Sequence, residues 1–297
     1  MPEPEQARGE AHRSTGPRGY DLTGRLSESR AQDFVGRRDL THWPSTAGRR
    51  LVHVALRLGH RLAPHQVMLL TLGIGLLLTA ALAALTDGIY DSVVEDDGIA
   101  ALDHPVLALA MRQRTPLLDS WVTGFTHVGG PVGMPVLAAA TAIGLSVAWR
   151  RLSPAVLIVS TMLGSLALTV AGKAAVTRAR PPHVDAVPPY EFGFSFPSGH
   201  SLNAAAFAGI LTYLLLRRLR RTWARRLTVV LATAFATAMG LSRVFLGHHW
   251  LTDVLVGWAL GLAWLSVVIT SHRLFLTVYR NSPSSHRARP PRRGRST

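Results

Sequence analysis

The chain has no cysteine, a single lysine and few charged residues of any kind. Without cysteine there can be no disulfide framework, no thiolate metal site and no cysteine nucleophile. Charged residues occupy only 16% of the 297 positions, where an ordinary soluble domain carries about 25%. Hydrophobic residues make up 48%, and mean hydropathy is +0.21. A soluble enzyme is therefore not expected, and neither is a wholly disordered chain. Acidic residues are also short, 17 against 32 basic, for a net charge of +15. Nucleic acid is nonetheless a poor partner, because no helix-turn-helix, finger or base-stacking module accompanies the basic blocks. All of the basic residues except Lys173 are arginine. That one lysine becomes informative.

What the chain does have is a series of apolar runs separated by arginine blocks. Six runs are near the ~20 residues that cross a hydrocarbon core: 66–86, 122–148, 154–175, 199–216, 227–244 and 253–271. The second is interrupted by Gly129, Gly130 and Pro131, which predicts a kink. Residues 1–48 read as a disordered tail, being polar and without apolar period. Residues 49–65 read as an amphipathic helix lying on the membrane surface. The acidic segment 87–120 follows the first run, with a short interfacial helix expected over 99–113. Residues 66–272 then form the core, an all-α integral membrane six-helix bundle, and 273–297 a basic tail. With the N-terminus inside, 26 of the 32 basic residues fall on the cytoplasmic side. The excess of arginine in short loops keeps those loops inside, so both tails are expected to be cytoplasmic. The tails would then face anionic inner-leaflet lipid.

Lys173, Arg178, Arg180 and Arg243 are left on the outer side, at the ends of predicted spans. Cations there are costly and mark function unless they snorkel to the interface. Arg178 alone suits snorkelling. The other three belong to spaced patterns. Lys173 is followed after six residues by Arg180–Pro181. Pro197–Ser198–Gly199–His200 opens an apolar run, where the exposed N–H groups of a helix start favour an anion. Ser242–Arg243 is followed after five residues by His249, and after three more by Asp253. His and Asp at i and i+4 share a helix face. The carboxylate can accept one ring N–H and leave the other nitrogen free to attack.

In this order, at successive span ends, the three patterns resemble the signature of the type 2 phosphatidic acid phosphatase superfamily: K-x6-R-P, P-S-G-H and S-R-x5-H-x3-D. The resemblance covers roughly 66–271, and six spans set the chain apart from the soluble haloperoxidase relatives. It implies that Lys173, Arg180, Arg243, Ser198 and Gly199 bind the phosphoryl oxygens. His249 would be the nucleophile that forms a phosphohistidine, oriented by Asp253. His200 would protonate the leaving oxygen and then activate water. No metal or other cofactor is implied. The expected activity is removal of a phosphomonoester or diphosphate from a membrane lipid such as phosphatidic acid, a polyprenyl diphosphate or phosphatidylglycerol phosphate, at the extracytoplasmic face of the cell membrane. Transfer of the phosphoryl group to another acceptor is open to the same fold.

Two other classes compete. His200, His249 and Asp253 could ligate zinc in a membrane hydrolase, although three nearby cations would repel a dication. The cations could serve an anion channel or transporter, which gives no reason for pairing His with Asp. Outside the signature, His248 is offset from Asp253 and suits packing, and His104, His127 and His183 suit structural or solvent-facing positions. Tyr190, Phe192, Phe194 and Phe196 alternate along the loop 181–197. They suit either an interfacial grip on lipid or packing over the helices.

Overall fold

The structure, a computed structural model, describes residues 34–35, 38–59, 62–93 and 99–281. The tail expectations for 1–33 and 282–297 lie outside it. A short antiparallel pair, Phe34–Val35 with Arg38–Asp39, precedes a helical chain. The helices are α1 (Thr46–Gly59), α2 (Pro64–Val93), α3 (Asp103–Arg112), α4 (Pro116–His127), α5 (Gly133–Trp149), α6 (Ser153–Ala175), α7 (Gly199–Leu216), α8 (Thr222–Phe245) and α9 (Leu251–Asn281). A 3-10 turn, Ile99–Leu102, leads into α3.

Among the described residues, five helices are long and apolar enough to cross a membrane: α2 over Pro64–Ala81, and α6 to α9. The expected span 122–148 is instead divided between α4 and α5, with the break at 128–132 where the glycines and proline fall. At 17 residues α5 is the shorter apolar helix, about 25 Å long at ~1.5 Å per residue. Large apolar side chains such as Leu77, Val147, Leu163 and Val230 point outward and are exposed. Soluble monomers rarely show apolar surface on this scale, whereas lipid requires it.

Apolar on every side, α7 sits at the centre, as a helix buried all round must. Its Leu202, Phe207, Ile210 and Leu214 join a core with Met134 of α5, Leu157 of α6 and Trp264 of α9. Trp264 Nε1 donates to the Thr161 carbonyl at 2.9 Å, tying α9 to α6. Gly257 and Gly261, four residues apart on α9, meet the backbone of α7. A Cβ at either would lie 2.8 Å from the Ser198 carbonyl oxygen or 2.7 Å from that of Leu202. Small residues at this spacing let two membrane helices approach closely, and here they bring the starts of α7 and α9 together.

Both ends of the core differ from the sequence expectation. The helix expected over 49–65 begins at Thr46 and ends at Gly59. The basic tail expected from 273 is still helix as far as Asn281. Leu274 and Val278 continue the apolar stripe of α9 and pack with Ala55 and Val67. The arginines of this turn are satisfied by the N-terminal segment rather than by solvent. Arg273 donates to the carbonyls of Leu40 at 2.8 Å and His42 at 2.9 Å, and its guanidinium lies 4.1 Å from the Trp43 ring centroid. Arg280 donates to Thr41 Oγ1 at 2.6 Å. Residues 39–43 and the end of α9 therefore lie at one end of the bundle. Lys173, His200, Arg243 and Asp253 lie at the other, since they occupy the end of α6, the start of α7, the end of α8 and the start of α9.

Candidate active site

Four helix termini and one folded loop build the site. The loop 176–198 leaves α6, folds back over the helix ends and enters α7. Lys173, in the last turn of α6, holds it by donating to the Phe194 carbonyl. Arg180 Nε donates to the Gly193 carbonyl at 3.0 Å, and Arg180 Nη1 to the His248 carbonyl at 2.6 Å. Arg243 comes from the last turn of α8, with a side chain only 1% exposed. It donates to Thr126 Oγ1 at 2.9 Å, and its buried Nε has no hydrogen-bond partner among the described residues.

His249 is buried in the short connection between α8 and α9. Its two ring nitrogens face different partners. Nδ1 lies 3.4 Å from Asp253 Oδ2, and Nε2 lies 3.2 Å from Arg180 Nη1. An N–H at Nδ1, directed to the carboxylate, leaves the Nε2 lone pair toward the arginines. Burial is the main influence on the ring. It lowers the pKa to about 4 against the opposing pull of Asp253, so the imidazole is neutral at neutral pH.

Asp253 is itself fixed on several sides. Its Oδ2 accepts from the Ser195 hydroxyl and, at 3.0 Å, from the Trp250 N–H. Its Oδ1 accepts from Arg178 Nη1 at 2.8 Å. The same guanidinium reaches Asp103 Oδ2 at 2.6 Å, and Asp103 accepts from the Thr252 N–H at 2.9 Å. Asp103, at the start of α3, thus braces the carboxylate behind His249. Removing one member of such a buried ion pair costs about 3–5 kcal/mol, because the other charge is left uncompensated.

His200, on the first turn of α7, lies against the turn between α4 and α5. A Cβ built at Gly129 would be 3.1 Å from His200 Cδ2, and one at Gly130 3.7 Å from Nε2. The break in the helical run leaves room for this ring. Ser198 caps α7 by accepting from the Ser201 N–H and hydroxyl, while its own N–H donates to the Asp253 carbonyl at 3.2 Å. The polar groups of Ser198 are therefore engaged in aiming the helix, in contrast to the free anion-binding N–H expected from the sequence. Among the described residues, no three His, Cys, Asp or Glu side chains converge as metal ligands.

A profile described as PAP2 superfamily matches residues 154–275, the stretch that carries all three motifs. Phosphatidylglycerophosphatase B of Bacillus subtilis is 30% identical over 175 residues, covering 59% of this chain and 85% of that protein. The chain belongs to the PAP2 superfamily. A solved transmembrane PAP2-type phosphatidylglycerolphosphate phosphatase from Bacillus subtilis superposes with a TM-score of 0.55 at 28% identity, covering 66% of this chain and 92% of that one. Undecaprenyl-diphosphatase of Sulfolobus acidocaldarius is 39% identical over 80 residues, covering 26% of this chain and 34% of that protein. This PAP2 protein is a phosphatase and a multi-pass membrane protein.

The expected residues of this PAP2 site come together, and residues outside its signature are joined to them. Arg178, taken as a snorkelling side chain, is joined to Asp253, Asp103 and Thr252. Ser195 and Glu191 were missed altogether. The clue lay in the alternation of the PAP2 loop, since Glu191 and Ser195 interleave the aromatics and are turned inward. Tyr190, Phe192 and Phe194 are exposed, whereas Phe196 is buried. His248 packs as expected, with Nε2 2.8 Å from the Val187 carbonyl. His104 stacks edge-on against Trp250, and His183 against Tyr190.

Proposed function

We propose that this PAP2 protein is a six-span lipid phosphate phosphatase working through a phosphohistidine, with its site on the extracytoplasmic face. The observation that carries the reading is the division of the His249 ring: Nδ1 toward Asp253, and Nε2 toward Arg180 at 3.2 Å. A phosphoryl group held by Arg180, Arg243 and Lys173 would present phosphorus to Nε2. As the P–N bond forms, the bond from phosphorus to the lipid oxygen breaks. His200 delivers a proton to that oxygen. Water then attacks the phosphohistidine while His200 accepts its proton, and inorganic phosphate leaves.

The three cations stabilise the charge that develops on the equatorial oxygens, a task a metal performs elsewhere. Gly199 and the start of α7 add the positive end of a helix, aimed by the Ser198 cap. The sixth span is α5, entered through α4, and the arginine-rich end of the bundle lies in the cytoplasm. By analogy with the relatives named above, phosphatidylglycerol phosphate is the first substrate to test and a polyprenyl diphosphate the second.

The test is phosphate release by the purified protein from a panel of lipid phosphates, with and without chelator and vanadate. Activity that survives EDTA and is blocked by vanadate, which mimics the five-coordinate transition state, supports the reading. Loss of activity with EDTA, restored by zinc, overturns the metal-free mechanism.

A further inference from the structure

The phosphoryl pocket contains an anion belonging to the chain itself. Glu191 reaches inward from the loop tip, and its carboxylate bridges the two arginines. Oε1 accepts from Arg243 Nη2, and Oε2 lies 3.1 Å from Arg180 Nη1 and 4.0 Å from His249 Nε2. Two oxygens spanning two guanidiniums in front of the proposed nucleophile is the arrangement of a bound oxyanion. Burial alone would raise the carboxyl pKa. Arg243, His249, His200 and Arg180 outweigh it and hold the value at about 2, so the group is ionised throughout the neutral range.

The carboxylate also lies at the mouth of the site. Glu191 is 31% exposed on its side chain, while Arg243 is 1%. Next to it, Phe192 is 82% exposed. The segment 190–197 has no helix or strand to hold it, and Gly193 takes a positive φ of 83° that most residues avoid. The side chain that fills the anion site thus stands on irregular chain and is partly open to solvent.

We propose that Glu191 is a specificity-determining residue that yields its place to the terminal phosphate of a lipid but not to the phosphodiester of an ordinary phospholipid. This rests on the phosphatase reading above. A phosphodiester carries one negative charge and two free oxygens, the same as a carboxylate, so exchanging one for the other brings no electrostatic gain. A terminal phosphate carries about −1.5 to −2 at neutral pH and offers three free oxygens. It gains an additional contact with Lys173 and repels the carboxylate it replaces. The distinction matters because diesters vastly outnumber phosphomonoesters in a bilayer. A pocket of three cations without a counter-anion would fill with them. A tethered carboxylate competes at an effective concentration that no soluble anion reaches.

The test compares wild type, Glu191→Gln and Glu191→Asp in detergent micelles, with phosphatidic acid as substrate and phosphatidylglycerol as the competing diester. Wild type is expected to turn over with little response to phosphatidylglycerol. In Glu191→Gln the site is open all the time, so KM and the Ki for inorganic phosphate both fall about fivefold or more. Phosphatidylglycerol then becomes a competitive inhibitor. Glu191→Asp keeps the charge on a side chain too short to bridge both arginines, and falls between the two. It carries the test if the glutamine variant is unstable. Unchanged or higher KM and Ki in a folded variant, with phosphatidylglycerol still inert, overturns the role of Glu191 and leaves the phosphatase reading standing. A wild-type protein that releases phosphate from no lipid overturns both.

Discussion

The two histidines of the proposed phosphoryl site hold different positions, and their substitutions test the two proposed roles. His249 offers a neutral Nε2 toward the arginines, while His200 stands across the pocket on the first turn of α7, against the turn at Gly129. His249→Ala is expected to abolish turnover and phosphoenzyme on every substrate. His200→Ala removes the proposed proton donor, a contribution typically worth about 10²–10⁴-fold. Its first step should suffer most on phosphatidic acid, whose alcohol leaves poorly, and least on an aryl phosphate or a polyprenyl diphosphate. On the easier substrates, a burst of leaving group and an acid-labile phosphoenzyme should precede slow turnover. Rapid-quench measurement of bound phosphate decides the matter. A silent His249→Ala beside an inactive His200→Ala would exchange the two roles.

Helix packing sets the distance between these residues, because each is fixed to the end of a different element. α7 carries His200, and α9 carries Asp253. The two helices approach closely through Gly257 and Gly261, and no side chain fits between them. Gly261→Val places methyl groups against the Leu202 carbonyl, a collision of the kind that costs about 1–3 kcal/mol. The melting temperature in detergent is expected to fall. Turnover should fall as well, although the substitution is two helical turns from Asp253. Loss of stability with full turnover would show that the α7–α9 spacing does not govern the site. Asp103 makes a second link at this scale, joining α3 to the start of α9 through Thr252 and to the loop through Arg178. The Asp253 carboxylate is thus held by the loop through Arg178 and Ser195, with α3 bracing Arg178 from behind.

At the scale of the whole molecule, the site and the described arginines Arg218, Arg273 and Arg280 occupy opposite ends. Arg218 lies 4.9 Å from the Trp149 ring, which brings the loop between α7 and α8 to the end of α5. The segment 39–43 is fastened to the end of α9 by Arg273 and Arg280. These elements share one side of the bundle, and the positive-inside tendency predicts that this side is cytoplasmic. The absence of cysteine makes the test simple. Val184→Cys, exposed in the loop over the site, is expected to react with an impermeant thiol reagent in intact cells. Thr222→Cys, exposed at the start of α8, should react only after lysis. The opposite labelling pattern would place the active site inside.

The parts of this protein legible in its sequence are those that depend on short stretches of chain. A span is recognisable because its apolar length is local, and the bounds of α6 and α7 fall within a residue of those expected. The His249–Asp253 pairing is local too, since only four residues separate them, although His249 sits in the turn before α9 rather than on a shared helix face as expected. The helix break beside His200 was signalled by Gly129, Gly130 and Pro131, although its purpose was not. Tertiary structure alone decided the rest. The extension of α9 to Asn281 depends on a segment 231 to 241 residues earlier that supplies partners for its arginines. Ser195, Arg178 and Asp103 reach Asp253 or its neighbours across 58 to 149 residues. Glu191 meets Arg243 across 52. The contacts of Ser195, Arg178 and Glu191 depend on how an irregular loop folds back over four helix ends. No periodicity records that path, because without helix or strand there is no fixed relation between residue number and direction.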